Sequence, residues 1–410
     1  MATLRLFVVS DAHVDSEYGR NESYASTRVN VGEGQSPLHD LESLVRDSVL
    51  SADFLINAGD LSNKADSAGL SFGWEQLTRI ADRLNAVTLA VPGNHDLVTR
   101  RAALQQRSGI QGLRPDVPTL SPEDNSKFWQ HGWVIHETLA ARFLLIDSTF
   151  GFPPFPEHVP EGSDEFQKYL TSLNRGAFPA TMQEEIESAL HGLEPKLNVA
   201  VLHHHPQEHQ HRTYLQDTYG PMERGSELIG MLASTPEVGR WFVVHGHKHL
   251  PQLVTAGADT SNGPFMLCAG SASAILWPPA NSVARNQVHL VEMTDEDPAF
   301  SGSLRGSVRS WSWGFGMGWS EANGMGIEMP HLTGFGSSDD FRISGRAIID
   351  LLKADARPHW LWSDLVAHIP HLPYMSPRDQ KYLVEYLQAR KLEILFSTSG
   401  AIQQIVKGPE

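Results

Sequence analysis

Apolar residues gather in runs of strand length at Leu4 to Val9, Phe54 to Ala58, Val87 to Val91, Phe143 to Ile146, Asn198 to Leu202 and Trp241 to Val244. Between several of these runs the spacing changes to that of a helix with one apolar face, over Leu38 to Leu50, Trp74 to Leu84 and Thr181 to Leu190. Strands alternating with helices predict buried sheets with helices packed outside. Gly132 to Ile146 reads as a hairpin, which makes the sheet mixed. The fold class this predicts is α/β, a mixed-sheet β-sandwich flanked by helices.

Pro, Gly and polar residues crowd Leu97 to Asn125 and Gly151 to Arg175. Both stretches are too long for ordinary connections, and long loops on a rigid sheet are where substrate contacts collect. From Ser301 to Ser338 the composition turns to Gly, Ser, Trp and Met, with Arg305, Ser307, Arg309, Trp311 and Trp313 in alternation. Exposed or edge strands with a Gly-rich turn fit this pattern, and so does a strand whose tryptophans pack on the core.

The stretch from Asp339 has its own signals. Helical spacing covers Gly345 to Leu352 and Trp360 to Ile369, and Ser376, Pro377 and Asp379 announce a third helix. Leu392 to Phe396 and Ala401 to Val406 then flank a turn at Ser397 to Gly400. Three helices and a hairpin predict a small winged-helix-like α+β module. The organisation expected is a main domain over 1–300, a Gly/Trp-rich strand extension or linker over 301–338, and the module over 339–410.

Lys+Arg 32 against Asp+Glu 48 leaves a formal charge of -16, so the average surface repels nucleic acid and anionic membranes. A polyanionic substrate needs a local positive site. Residues 339–410 hold nine basic and nine acidic residues, whereas a DNA-reading module is usually clearly basic. A packed contact with another chain, a protein partner or a second copy, or with the main domain, through Trp360, Trp362, Leu365, Leu383 and Leu387, is the role expected of the module. The single cysteine, Cys268, excludes an intramolecular disulfide. With no secretory pattern at Met1 to Ser10 and no long apolar run, a cytoplasmic protein without a membrane partner is expected.

Five short signals follow predicted strands: Asp11 and His13; Gly59 and Asp60; Gly93, Asn94, His95 and Asp96; His203, His204, His205 and Pro206; and Gly246, His247, Lys248 and His249. Ligands of open α/β folds gather at the carboxyl ends of strands, so all five sets can face one crevice. Singly they are weak, since a lone histidine at a strand end is commonly structural. As an ordered set they point to metal-assisted hydrolysis of a phosphate ester, which needs a strong nucleophile and neutralised phosphoryl oxygens. One carboxylate must bridge two divalent ions, and Asp60, short and on a glycine turn, suits that place. Imidazoles and an amide complete the shell without cancelling its positive charge.

The five blocks, D-x-H, GD, GNHD, a histidine after a strand and GHxH, resemble the signature of the calcineurin-like metallophosphoesterase superfamily over roughly Met1 to Met293. The resemblance implies that Asp11, His13, Asp60 and His249 hold one metal and that Asp60, Asn94, His204 and His247 hold the other. His204 is preferred in the fourth block because His205 and Pro206 follow it, with His203 as the alternative. The resemblance places His95 beside the leaving-group oxygen, as a general acid or phosphate contact; Asp60 and Asn94 complete the catalytic set. Manganese is the metal expected, with Fe, Zn, Ni or Mg as alternatives. His209 and His211 read as solvated loop residues.

Departures narrow the subclass. The protein serine/threonine phosphatases carry GDxxDRG and GNHE, but here Asn63 and Lys64 follow Asp60 and Leu61, and Asp96 replaces the glutamate. Asn63 also stands where purple acid phosphatases place a tyrosine ligand. The remaining reading is a phosphodiesterase acting on a nucleotide-type small molecule, resembling bacterial cyclic-nucleotide phosphodiesterases. A metal-dependent nuclease acting on DNA or RNA is the alternative, and an inactive binding or scaffold protein the third.

Overall fold

The first strand, β1 (Ala2–Val9), shows how the pattern becomes layers. Its side chains alternate in direction, so Leu4, Leu6 and Val8 enter one core while Phe7 and Val9 enter another on the opposite face. A strand with both faces buried must lie inside a layered fold. The computed structural model describes residues 2–16, 22–28, 31–99, 103–118, 121–215, 219–257, 263–295, 304–324, 326–337, 340–355 and 357–407.

In the first sheet β1, β2 (Phe54–Asn57) and β3 (Val87–Ala90) run parallel. In the second, β4 (Trp133–Glu137) pairs antiparallel with β5 (Ala141–Ile146) as the hairpin pattern predicts. β6 (Leu197–Val201), β7 (Trp241–His245) and β9 (Phe265–Cys268) then follow in parallel, and β8 (Gln252–Thr255) closes the edge. The first sheet is extended antiparallel by β10 (Asn286–Asp295), β11 (Leu304–Gly314), β12 (Gly318–Glu321) and β13 (Leu332–Phe335). Leu6, Ile56 and Leu89 from one sheet meet Phe143, Val199 and Phe242 from the other. The fold is thus the mixed β-sandwich flanked by helices.

Helices α1 (Pro37–Asp47) and α2 (Ser67–Leu84) cover the outer face of the first sheet. Two more reach into stretches read from sequence as loop: α3 (Pro122–His131), by its first turn, and α4 (Asp164–Arg175), over its whole length. Their N-caps explain them, because Ser121 and Ser163 accept from Asp124 N and Phe166 N and each is followed by acidic residues in the first turn. The apolar positions Phe166, Tyr169, Leu170 and Leu173 carry helical spacing that the polar composition hides. Helices α5 (Ala180–Leu190) and α6 (Gly225–Ala233) cover the second sheet.

Of the two readings of the alternating tryptophans, the structure has the buried one. Trp311 and Trp313 lie under α1, where Trp313 Nε1 donates to Asp40 at 2.7 Å. The boundaries expected at 300/301 and 338/339 fall outside the described residues.

Beyond them, α7 (Phe341–Ala354), α8 (Trp362–His368) and α9 (Pro377–Gln388) pack on a three-stranded antiparallel sheet of β14 (His359–Leu361), β15 (Leu392–Phe396) and β16 (Ile402–Lys407). Trp360 belongs to β14 and not to a helix. Trp360, Leu365, Leu383 and Leu387 are buried in this module's own core, with Trp362 partly buried against it. That corrects their expected role as a contact with another chain, since a side chain spent on the core has no face left to offer.

The module docks through the turn after α8: Gly334 N donates to Met375 O at 3.2 Å and Ser337 N to Tyr374 O at 3.0 Å. A Cβ on Gly334 would lie 2.1 Å from Pro373 O, so the strand and turn meet backbone to backbone. Gly334→Val is therefore expected to cost about 1–3 kcal/mol, the usual scale of overpacking. The urea midpoint reads this directly, and an unchanged midpoint would mean the contact is not tight.

Candidate metal centre

The ends of β1, β2, β3, β6 and β7 bring the five blocks together. Asp11 N donates to Gly59 O, and His13 N to Asp60 O, both at 3.0 Å. Asp11, His13, Asp60, His247 and His249 all adopt left-handed backbone, with φ between 47° and 72°. Each such non-glycine residue costs on the order of 1 kcal/mol or more, a strain that folded proteins tolerate mostly at working sites. Gly93 and Gly246 make room: a Cβ on Gly93 would sit 2.1 Å from Asp60 Oδ1, and one on Gly246 2.3 Å from Asp11 Oδ2.

His13 Nε2 lies 3.0 Å from His249 Nε2 and 3.6 Å from Asp60 Oδ2, and His249 Nε2 lies 3.3 Å from Asp11 Oδ1. On the other side of Asp60, His203 Nε2 stands 3.3 Å from Asp60 Oδ2 and 3.1 Å from Asn94 Oδ1. Candidate donor atoms fall in groups within 4.8 Å, among them Asp11–His13–His249, Asp11–Asp60–His203 and His203–His204–His247. Among the described residues no Lys or Arg forms an ion pair with Asp11 or Asp60. Imidazoles, an amide and buried carboxylates facing one another at such distances are a donor set suited to a pair of metal ions.

The alternatives His203 and His204 differ in direction. Along β6, Val199 and Val201 face the core between the sheets, while Ala200 and Leu202 face the outer helices. Continuing the alternation sends His203 inward to Asp60 and His204 outward. His203 Nδ1 is 2.8 Å from Ala58 O, a carbonyl that can only accept, which leaves Nε2 toward the cluster. Both His204 nitrogens are engaged elsewhere, Nδ1 with Ser148 Oγ at 2.8 Å and Nε2 with Leu173 O at 3.1 Å. The ring of His203, and not that of His204, thus faces Asp60, although His203, His204 and His247 also offer donor atoms within 4.8 Å of one another. Strand alternation was the signal in the sequence that could have shown it.

Burial opposes charge on both carboxyls, but His13, His249 and His203 outweigh it at Asp11, and His203, His95 and His13 at Asp60, so both are held below their ordinary range. For His203 the same balance, burial against the Asp60 charge, ends with a rise to about 9. Burial pushes His95 down to about 4 and keeps His204 and His247 neutral. Asp96 is no part of the donor set: it accepts from Ser62 N and Gly93 N and shapes the turn that presents Asn94 and His95.

Around His95 the structure adds residues that the motifs do not name. Asn63 Nδ2 donates to Asp15 at 3.0 Å and to Glu22 at 2.8 Å, so its Oδ1 is the atom 3.4 Å from His95 Nδ1. Asp15 and Glu22 lie in a polar stretch with no distinguishing spacing. His209, expected in solvent, is buried with Nε2 2.9 Å from Leu250 O, so it braces the loop after His249. His211 is partly buried.

A family model of calcineurin-like phosphoesterases matches residues 4–251, more than half of the chain. No curated protein matches. Similar solved structures include a dimetal phosphatase from Danio rerio, 13% identical, with a TM-score of 0.45 over 76% of this chain and 96% of that one. Another is a purple acid phosphatase from yellow lupin seeds, 14% identical at a TM-score of 0.44 over 76% of this chain and 52% of that one. An NAD nucleotidase of Haemophilus influenzae is 12% identical at 0.36, over 90% of this chain and 67% of that one. These likenesses are too distant to assign residues. The family match rests on the stretch that carries all five blocks, and on it the chain belongs to the calcineurin-like phosphoesterases, dinuclear-metal-dependent hydrolases of phosphate esters.

Proposed function

We propose that this protein is a cytoplasmic phosphodiesterase acting on a nucleotide-type small molecule. The observation that carries the reading is the convergence of Asp11, His13, Asp60, Asn94, His203, His247 and His249 at one end of the sandwich, beside a cavity of about 400 Å³ that includes Asn94 and His95. Such a volume suits a small molecule and not a duplex. The lone cysteine, Cys268, is buried and fits a reducing compartment.

In this reading Asp11, His13, Asp60 and His249 hold one divalent ion, and Asp60, Asn94, His203 and His247 the other. Manganese is the metal assigned, with iron, zinc, nickel and magnesium admitted by the same donors. Two such ions would acidify a water and neutralise the phosphoryl oxygens. Asp60 is the shared ligand, and its Oδ1 also accepts from His95 N at 2.7 Å, which ties the ring to the bridge. Asn63 fixes the His95 ring from behind. The ring is neutral in the metal-free chain, and an anionic phosphoryl group beside it favours uptake of the proton that the leaving oxygen needs.

The nuclease reading is weakened by the module. Arg378, Lys381, Tyr382 and Glu385 on α9 line a cavity of about 820 Å³ shared with Gln252, Ile327 and Glu328 of the main domain. A third helix turned toward its own catalytic body is poorly placed to enter a DNA groove. A hydrolysis screen with Mn²⁺ tests the reading, covering bis(4-nitrophenyl) phosphate, 4-nitrophenyl phosphate, cyclic mono- and dinucleotides, and single- and double-stranded DNA. Cleavage of DNA with no turnover of nucleotides would put the nuclease first.

Metal content checks the assignment. Asp60→Ala is expected to lose both ions and His203→Ala one of them, read by elemental analysis. Two ions retained in either variant would remove that residue from the centre. The metal-free chain carries a proton on His203, which stabilises it fully below pH 6.5 and is lost as pH rises through about 9. Metal must displace that proton, so loading strengthens with rising pH toward about 9 and then levels. Titrations across this range that show no proton release would contradict the pairing.

For His95→Ala, a loss of roughly 10²–10⁴ in kcat with both metals kept is expected, smaller for a 4-nitrophenolate leaving group. A loss of metal equal to that of Asp60→Ala would make His95 a ligand.

A further inference from the structure

We propose that Leu97, Val98, Leu173 and Asn174 form the subsite for the leaving group, and that His204 is the positioning residue that holds this wall in place. The proposal rests on the phosphodiesterase reading above and adds the chemical class that the leaving side accepts: an alcohol of about nucleoside size that carries both apolar surface and hydrogen-bonding groups.

His204 is fully buried and spans two elements. Its backbone N donates to Ser148 Oγ at 3.2 Å, so the hydroxyl proton is available for His204 Nδ1, 2.8 Å away. The proton of the neutral ring then sits on Nε2 and is donated to Leu173 O at 3.1 Å. That carbonyl lies in the last turn of α4, where helix carbonyls lack partners of their own. The helix end closes directly onto the ring: Gly176 has φ 65°, and a Cβ there would lie 2.4 Å from His204 Nδ1 and 2.8 Å from Ser148 O. Ala177 N donates to the same Ser148 O at 2.9 Å. A second tie joins α4 to the loop after His95, through Tyr169 Oη donating to Thr99 O at 2.6 Å.

Between these ties lies the cavity of about 400 Å³. Its walls are Leu97, Val98, Thr99, Leu173 and Asn174, and its inner end is formed by Asn94 and His95, with Lys64 also lining it. A group leaving toward His95 departs into this space. Asn174 Nδ2 donates to Leu170 O at 2.8 Å, which leaves the amide oxygen as an acceptor. Aliphatic side chains beside Thr99, Asn174 and Lys64 suit a leaving group that carries both apolar surface and hydrogen-bonding atoms. A nucleoside or an aryl alcohol has that chemistry, and a chain of nucleotides is too large for the volume.

The test uses the full chain loaded with Mn²⁺ and two esters whose leaving alcohols are similarly acidic but differ in size, bis(4-nitrophenyl) phosphate and bis(4-methylumbelliferyl) phosphate. His204→Leu is expected to keep two ions while KM rises about tenfold and kcat stays within about threefold, the signature of lost ground-state positioning. His204→Gln, whose amide can again donate to Leu173 O, should recover most of the KM. Leu173→Trp, which fills the cavity, should raise KM for the two-ring ester well above the rise for the one-ring ester. An ion lost from His204→Leu would make His204 a ligand, and equal KM values in all variants would remove the wall from substrate binding. If the wild type hydrolyses neither ester, it is the phosphodiesterase reading that fails. Calorimetric titration with phenylphosphonate then decides the wall separately: about tenfold weaker binding in His204→Leu supports it, and unchanged binding overturns it.

Discussion

Two buried carboxylates, Asp11 and Asp60, face the same small volume, and among the described residues no lysine or arginine pairs with either. Such an arrangement is costly unless cations enter, and much of the surrounding structure serves to impose it. Strand ends supply the residues, glycines at 93 and 246 let the chain come close, and five ligand-type residues are held in left-handed backbone. The sandwich makes this possible because it is rigid. Residues of both sheets interlock in one core, so the strained turns cannot relax without disturbing that packing.

The centre is also asymmetric in a way that suggests a division of labour. Asp11, His13, Asp60 and His203 are buried, while Asn94, His95, His247 and His249 are only partly so and border the open side. Behind the first group, the Ser271 hydroxyl donates to Asp11 O at 2.7 Å and Ser10 Oγ donates to the Asp11 carboxylate at 2.6 Å. Behind His95, the Asn63 amide is fixed by Asp15 and Glu22. The supporting shell thus orients side chains that the motifs alone name without placing them.

How far the sequence revealed this depended on the kind of signal. Strand ends followed by Asp, His or Gly-Asp are readable because chemistry and position coincide there, and Asp11, His13, Asp60, Asn94, His247 and His249 do come together in the fold. The choice between His203 and His204 turns on the inward or outward face of a strand end, where the His-Pro pair after His204 and the alternation of Val199, Val201 and His203 point different ways. Helix α4 was hidden by its polar composition, although Ser163 and the spacing of Phe166, Tyr169 and Leu173 mark it. Partners distant in sequence, such as Ser148 with His204 or Glu22 with Asn63, leave no local trace at all. In the C-terminal module the helices were legible, but whether their apolar faces served an inner core or a partner was a matter of packing.

On the proposed reading Asp60 bridges two ions and His203, not His204, completes the second site. Anomalous scattering from crystals grown with Mn²⁺ addresses both parts at once. Two manganese peaks about 3.5–4 Å apart, with the Asp60 carboxylate between them and the Nε2 of His203 on one of them, are the result expected on that reading. A single peak, or a second peak bound by His204 while His203 stands clear, would contradict it.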